Sequence, residues 1–387
     1  MKRFDMRAIL LAGCALMPAA ALAQTTAPRD AASQEAAPKA AQQPPTISER
    51  ASKVLNKVTG NPLGAADTDM NRVLSALADL DPKPIETLSP EEARKQPTVA
   101  DAAKALLTKE GKPTAPEPGV TTKDISIDGP GGPIKARIYK PDGATGPLPV
   151  VLYFHGGGWV IADLDVYDSS PRALAKDANV IVVSSHYRQA PENKFPAAHE
   201  DAVAAYQWLL KNAEAEGGDA KRIGVMGESA GGNLAINVAI AARDKNLQMP
   251  AYQVLVYPVA GVDMNTASYK ENENAKPLNK AMMGWFVEKV MRGDQDKMDP
   301  RIDLVGKADV SKLPPTSLIT AQIDPLRSEG QALALKLEQA GVRVKTYDVQ
   351  GVAHEFYGLG AVVADARRTQ VQIAEDFKTT FGAAAAR

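Results

Sequence analysis

Residues 223–236 read Ile223-Gly224-Val225-Met226-Gly227-Glu228-Ser229-Ala230-Gly231-Gly232-Asn233-Leu234-Ala235-Ile236. An apolar run, a glycine-built turn and a second apolar run predict strand, tight turn and helix. Within the turn, Gly227-x-Ser229-x-Gly231 puts a hydroxyl on a strained elbow. Glycine is needed on both sides, because a side chain there would meet the neighbouring strand or the helix that follows. The elbow lifts the Ser229 hydroxyl clear of the sheet and points a helix N-terminus at it.

The same alternation extends in both directions. Thr122–Ile127 and Ile134–Tyr139 alternate as strands around Gly129-Pro130-Gly131-Gly132. Short apolar strands are expected at Val150–Phe154, Val180–Val183, Arg222–Met226, Tyr252–Tyr257, Ser317–Ala321 and Val342–Tyr347. Helices are expected between them at about Pro171–Ala178, Ala197–Asn212, after Ala230 and at Ser328–Ala340, with a last one at about Val363–Phe377. This predicts an α/β fold: a mostly parallel sheet of about eight strands with helices on both faces. Its chemistry belongs at the carboxyl ends of the strands.

Three further strand ends carry the residues such a serine needs. Val150–Phe154 runs into His155-Gly156-Gly157-Gly158-Trp159, whose glycines leave backbone N–H groups free to face a developing oxyanion. The loop matches neither glycine-rich phosphate-binding pattern. Asp324 follows the strand Ser317–Ala321, and His354 follows Val342–Tyr347. Asp324 suits the acid that orients an imidazole, and His354 the base that takes the serine proton. The chain order Ser229, Asp324, His354 is the α/β-hydrolase order. The other histidines, His155, His186 and His199, are read as structural.

Composition removes several alternatives. Among 387 residues, 45 Lys+Arg stand against 46 Asp+Glu, so the basic surplus of a nucleic-acid binder is missing. One cysteine, Cys14, excludes a disulfide framework, an iron–sulfur cluster, a cysteine-rich zinc site and a C-x-x-C redox pair. The histidines form no H-E-x-x-H, and no Ser-x-x-Lys occurs, which argues against a β-lactamase-type serine enzyme. No cofactor or metal is required by this reading.

The N-terminus reads as an address. Lys2, Arg3 and Arg7 precede an uncharged run, Ala8–Ala23, that ends in Ala21-Leu22-Ala23. A secretory signal peptide over residues 1–23, cleaved after Ala23, is expected. Periplasmic or secreted localisation follows, and the mature chain would hold no cysteine. The run is short for a stable membrane span and contains Pro18. Leu11-Ala12-Gly13-Cys14 is the competing lipid-anchoring signal. Residues 24–46, rich in Ala, Gln, Thr and Pro, read as a flexible linker. Residues 47–113 read as helical: Ile47, Ala51, Val54, Leu55 and Val58 recur at helical spacing, as do Met70, Val73, Leu74 and Leu77. Ser89-Pro90-Glu91-Glu92 is a helix start, and Ala102, Leu106 and Leu107 mark a further helix. Residues 114–387 hold the catalytic domain.

Together these segments resemble the hormone-sensitive lipase family of bacterial α/β-hydrolases, the arylacetamide deacetylase-like esterases. The resemblance rests on His155–Trp159, Gly227–Ala235, Asp324–Arg327 and His354-Glu355-Phe356. It rests too on Tyr187-Arg188-Gln189-Ala190-Pro191-Glu192 with Phe195-Pro196-Ala197-Ala198, and it spans about residues 70–380. It implies a triad of Ser229, Asp324 and His354, with an oxyanion hole from the N–H groups of Gly157, Gly158 and Ala230. It also implies a helical cap from residues 47–113 and an insertion near 278–300 that contains Met282, Met283, Trp285 and Phe286. Four positions depart from the family's habit: Glu228 for Asp or Thr, Gln189 for Leu, Ser328 for an acid and Glu355 for Gly.

The activity implied is hydrolysis of short- to medium-chain carboxylic esters through an acyl-enzyme, with a small-molecule ester as the partner. A homodimer is compatible with it. The competing readings are a non-catalytic small-molecule-binding protein on the same fold, and cleavage of amides or carbamates by the same triad. An unperturbed histidine base titrates near ~6.5, so activity should fall below about pH 6.

Overall fold

The computed structural model describes residues 65–385. The expected signal peptide, the linker, the Cys14 signal and the helical pattern from Ile47 to Val58 lie outside the described residues. Helices come first: α1 (Thr68–Asp79), α2 (Pro90–Ala93) and α3 (Val99–Lys109). α1 buries Met70, Val73, Leu74 and Leu77, the stripe expected from their spacing. Capping boxes start the next two: Ser89 with Glu92 on α2, and Thr98 with Asp101 on α3.

One eight-stranded sheet follows, formed by β1 (Val120–Gly129), β2 (Gly132–Pro141), β3 (Leu148–Phe154), β4 (Ile181–Ser185), β5 (Gly218–Glu228), β6 (Tyr252–Val256), β7 (Thr316–Ile323) and β8 (Val344–Ala353). Its order is β1-β2-β4-β3-β5-β6-β7-β8. β2 pairs antiparallel with both neighbours, and the pairs from β4 across to β8 are parallel. The connecting helices are α4 (Ser169–Ala178), α5 (Ala197–Asn212), α6 (Ala230–Asp244), α7 (Ala267–Glu271), α8 (Lys280–Val290), α9 (Arg327–Gln339) and α10 (Ala364–Ala385). None of the described helices is long and apolar enough to cross a membrane.

Alternation along the strands divides the core. Leu152, Phe154, Val225 and Leu255 face one side with Leu234 of α6 and Leu333 of α9. Val151, Tyr153, Met226 and Val254 face the other with Leu174 of α4 and Phe377 of α10. β3, β4 and β6 are buried along their whole length. This is why they read as continuous apolar runs rather than half-polar strands.

Several elements outrun their expected limits, β8 and α10 by the most at one end. β8 continues past Tyr347 to Ala353, through an irregularity in its pairing with β7 between Ala321 and Ile323. The extra residues break the period-two pattern and hide the strand in the sequence. α10 extends past Phe377 because Phe381 is buried and stacks on the Phe377 ring at 5.5 Å.

Candidate active site

Strand register assembles the site. The chain leaves β3, forms β4 on one side and returns to form β5 on the other, so a crevice opens at the ends of β3 and β5. Phe154 lies opposite Gly227, which sets the glycine loop beside the elbow. Ile323 lies opposite Ala353, which sets Asp324 beside His354. Residues 95 and 30 apart in sequence (324 − 229 and 354 − 324) thus meet at one rim.

Ser229 sits at φ 56° and ψ −119°, a conformation a non-glycine residue adopts only when its surroundings enforce it. Its N–H donates to the Val256 carbonyl at 2.8 Å, and its carbonyl accepts from Val259 N–H at 3.2 Å. The flanking glycines leave no alternative. A Cβ on Gly227 would lie 2.0 Å from the Gly231 carbonyl oxygen, and one on Gly231 would lie 2.1 Å from that of Phe154.

The His354 ring stands between Ser229 and Asp324. Its Nδ1 is 2.6 Å from Asp324 Oδ2, and its Nε2 is 3.0 Å from Ser229 Oγ. A carboxylate can only accept, so Nδ1 carries the proton and Nε2 accepts from the serine hydroxyl. All three side chains are buried. Asp324 is held in turn by the Leu326 N–H at 2.8 Å. Burial alone would lower the imidazole pKa. The charge and hydrogen bond of Asp324, joined by the charges of Glu355 and Glu228, outweigh it and raise the ring above its ordinary value.

Across the crevice, Gly157 and Gly158 take φ 94° and 58°. No described protein group accepts from their backbone N–H groups. Ala230 is the first residue of α6, where helix N–H groups lack intrahelical acceptors. Gly157 and Gly158 line the same cavity as Ser229, and Ala230 follows it in the chain.

The remaining histidines hold this frame. Burial pushes His155 down to about 3, which keeps it neutral. Its Nδ1 donates to the Gly156 carbonyl at 2.8 Å, and its Nε2 pairs with His186 Nδ1 at 2.9 Å. The Tyr187 hydroxyl donates to the carbonyls of His155 and Gly156, 3.0 Å each. His199 Nε2 donates to Asn233 Oδ1 at 2.9 Å, and Asn233 Nδ2 donates to Val259 and Arg301 carbonyls. Gln189, in place of the family's leucine, donates from Nε2 to the carbonyls of Ile161 and Ala162 at 2.8 and 2.9 Å. Ser328 exchanges hydrogen bonds with Ser268, each hydroxyl accepting from the other's N–H.

Several contacts carry no sequence signal. Glu228 is buried, with Oε1 accepting from Tyr153 at 2.6 Å and Oε2 from Tyr257. Arg94, from the segment after α2, reaches the glycine loop. Its Nε donates to the Val160 carbonyl at 2.8 Å, and its NH2 to the Ala190 carbonyl at 2.8 Å. Trp285 of α8 donates from Nε1 to the Leu88 carbonyl at 3.2 Å, joining the early helices to the later insertion. Motifs cannot reveal such contacts, because each partner is ordinary in its own stretch of chain.

A cavity of about 1460 Å³ opens over Ser229 and His354. Met282, Met283 and Phe286 of α8 wall it on one side, and Leu74, Leu77 and Leu107 of the early helices also line it. The cavity has room for a small ester beside Ser229.

A family described by the alpha/beta hydrolase fold matches residues 151–358. An ethyl acetate hydrolase of Pseudomonas putida is 34% identical over 299 residues, which is 76% of this chain and 91% of that one. The carboxylesterase NlhH of Mycobacterium tuberculosis is 38% identical over 252 residues, 64% of this chain and 78% of its own. Among solved structures, a hyperthermophilic esterase from Pyrobaculum calidifontis superposes with a TM-score of 0.70 at 37% identity, covering 79% of this chain and 96% of its own.

Proposed function

The chain belongs to the hormone-sensitive-lipase-like family of α/β-hydrolases and is a carboxylesterase; from that premise we propose that Ser229, His354 and Asp324 cleave short- to medium-chain esters through an acyl-enzyme. The observation that carries this reading is the unbroken Ser229–His354–Asp324 chain of 3.0 and 2.6 Å contacts at the floor of an open cavity. His354 takes the hydroxyl proton as Ser229 Oγ attacks the ester carbonyl. The new oxyanion lies on the N–H groups of Gly157, Gly158 and Ala230, each such donor contributing about 3–4 kcal/mol to the transition state. His354 returns the proton to the departing alcohol. Water then attacks the acyl-serine by the same route, and the acid leaves.

A panel of nitrophenyl esters from C2 to C12, with acetylated sugars and an anilide, tests the reading. Preference for short and medium esters supports it. Faster cleavage of the anilide moves the assignment to amides. A fluorophosphonate adduct anywhere other than Ser229 removes the nucleophile assignment.

The leader supports export to the periplasm or beyond, with cleavage after Ala23. Intact mass of the protein from a periplasmic fraction decides it. A chain beginning at Gln24 is the expected product, and a diacylglyceryl group on Cys14 would replace it with an anchored form.

A further inference from the structure

Glu355 stands where the family's usual residue is glycine, and it sits at φ 65°, in the left-handed region that glycine enters without strain. A strained charged residue in a pocket points to a use for its side chain. Oε1 accepts from the Tyr167 hydroxyl at 3.2 Å, while Oε2 has no hydrogen-bond partner among the described residues. Both residues line the same cavity as Ser229 and His354.

The charges around Glu355 are unbalanced. Burial pushes its carboxyl up, the His354 imidazole favours its ionised form, and Asp324 opposes ionisation. No lysine or arginine among the described residues acts on it appreciably. The neighbouring Glu228 adds a second carboxyl, already held by tyrosines. Met283 and Phe286 line the same cavity. The corner of the pocket at Glu355 is therefore acidic and aromatic. An alkyl group gains nothing from that corner. A cation in that corner meets the free carboxylate oxygen beside the Tyr167 side chain. His354 must reach the leaving oxygen to protonate it. The charge of Glu355 acts on the His354 ring, so its carboxyl lies near the group that must meet the alcohol half of the substrate.

We propose that Glu355 and Tyr167 form a cation subsite on the leaving-group side of the pocket, and that the enzyme favours esters of amino or quaternary-ammonium alcohols over uncharged isosteres. This rests on the ester-hydrolase reading above. The test compares kcat/KM for acetylcholine and 3,3-dimethylbutyl acetate, which differ by nitrogen for carbon. Glu355→Gln keeps the shape and the backbone demand while removing the charge. The ratio of the two kcat/KM values is expected to fall about five- to tenfold in the variant, through KM for acetylcholine. In the wild type the same ratio should fall as salt rises, because an ion pair is screened and a neutral contact is not.

A ratio unchanged by both the substitution and salt overturns the subsite while the hydrolase stands. If the variant fails to fold, the salt series on the wild type decides alone. Failure of the wild type to cleave either ester or nitrophenyl acetate would remove the hydrolase reading, and this inference with it.

Discussion

The ring of Tyr257 lies tilted against the imidazole of His354, centroids 4.5 Å apart, while its hydroxyl donates to the carboxylate of Glu228. The residue preceding the nucleophile is thereby tied to the ring that supports the base. Tyr153 fixes the other oxygen of Glu228, so the imidazole rests on a polar network rooted in β3, β5 and the residue that follows β6. Its ring cannot turn away from Ser229 without disturbing that support.

Tyr257→Phe keeps the ring and removes the hydroxyl. One oxygen of a buried carboxyl loses its donor, which should cost about 1–3 kcal/mol of stability. Activity on nitrophenyl acetate should drop through kcat, with KM nearly constant, as the base loses its alignment. Thermal unfolding and steady-state kinetics on the same preparation check both. A stable variant with unchanged kcat would show that ring packing alone positions the histidine.

Ser229→Ala should leave the fold intact and lower kcat on a chromogenic acetate by at least about 10³-fold, and Asp324→Asn by a comparable factor through loss of the correct tautomer. Circular dichroism confirms folding, and the rates decide the role. Equal rates for wild type and Ser229→Ala would favour a binding protein on this fold.

The acid limb of the pH profile should lie higher than for an ordinary histidine. The base must be neutral to accept a proton, and the carboxylates of Asp324, Glu355 and Glu228 stabilise its charged form enough to outweigh burial. Activity is therefore lost on acidification earlier than the unperturbed value suggests. Glu355→Gln removes one negative charge and should move the limb to lower pH. A kcat/KM profile from pH 5 to 9 on a neutral ester measures the shift, and movement to higher pH would contradict the sign.

Two glycine substitutions should separate folding from function. On Gly231 an added Cβ lies 2.1 Å from the backbone oxygen of Phe154, which cannot yield, so Gly231→Ala should cost more than about 3 kcal/mol or prevent folding. On Gly158 it lies 2.3 Å from the ring of Phe286, a side chain of α8 able to rotate. Gly158→Ala, at φ 58°, should cost about 1–2 kcal/mol, fold, and lose activity as the ring is driven into the pocket. Urea unfolding and ester kinetics on both variants test the contrast.

The elbow was legible because its glycine pattern is local. Gly227 is dictated by the Gly231 carbonyl oxygen 2.0 Å from any added Cβ, within a few residues of chain, although Gly231 answers to the Phe154 carbonyl oxygen at 2.1 Å on the neighbouring strand β3. Asp324 and His354 were legible as an acid and a base in the loops after predicted strands, and each proves to be the first residue beyond its strand. The length of β8 was not, because an irregular edge strand with a polar outer face breaks the alternation that reveals strands. Glu355 was visible as an oddity beside His354, yet its Tyr167 partner, 188 residues away, was not.

Local chemistry along the chain determined which atoms could react: a hydroxyl on a glycine elbow, a glycine loop with free N–H groups, and an acid and a base at strand ends. Only the tertiary structure decided how they meet. The sheet order sets β3 beside β5 and β7 beside β8, and register then brings the reacting groups within hydrogen-bond distance. The same crossings bring Tyr257 against His354, Arg94 onto the glycine loop and Glu355 into the pocket. Such contacts join residues with no spacing relationship, because side chains of separate elements meet through packing and not through covalent neighbourhood.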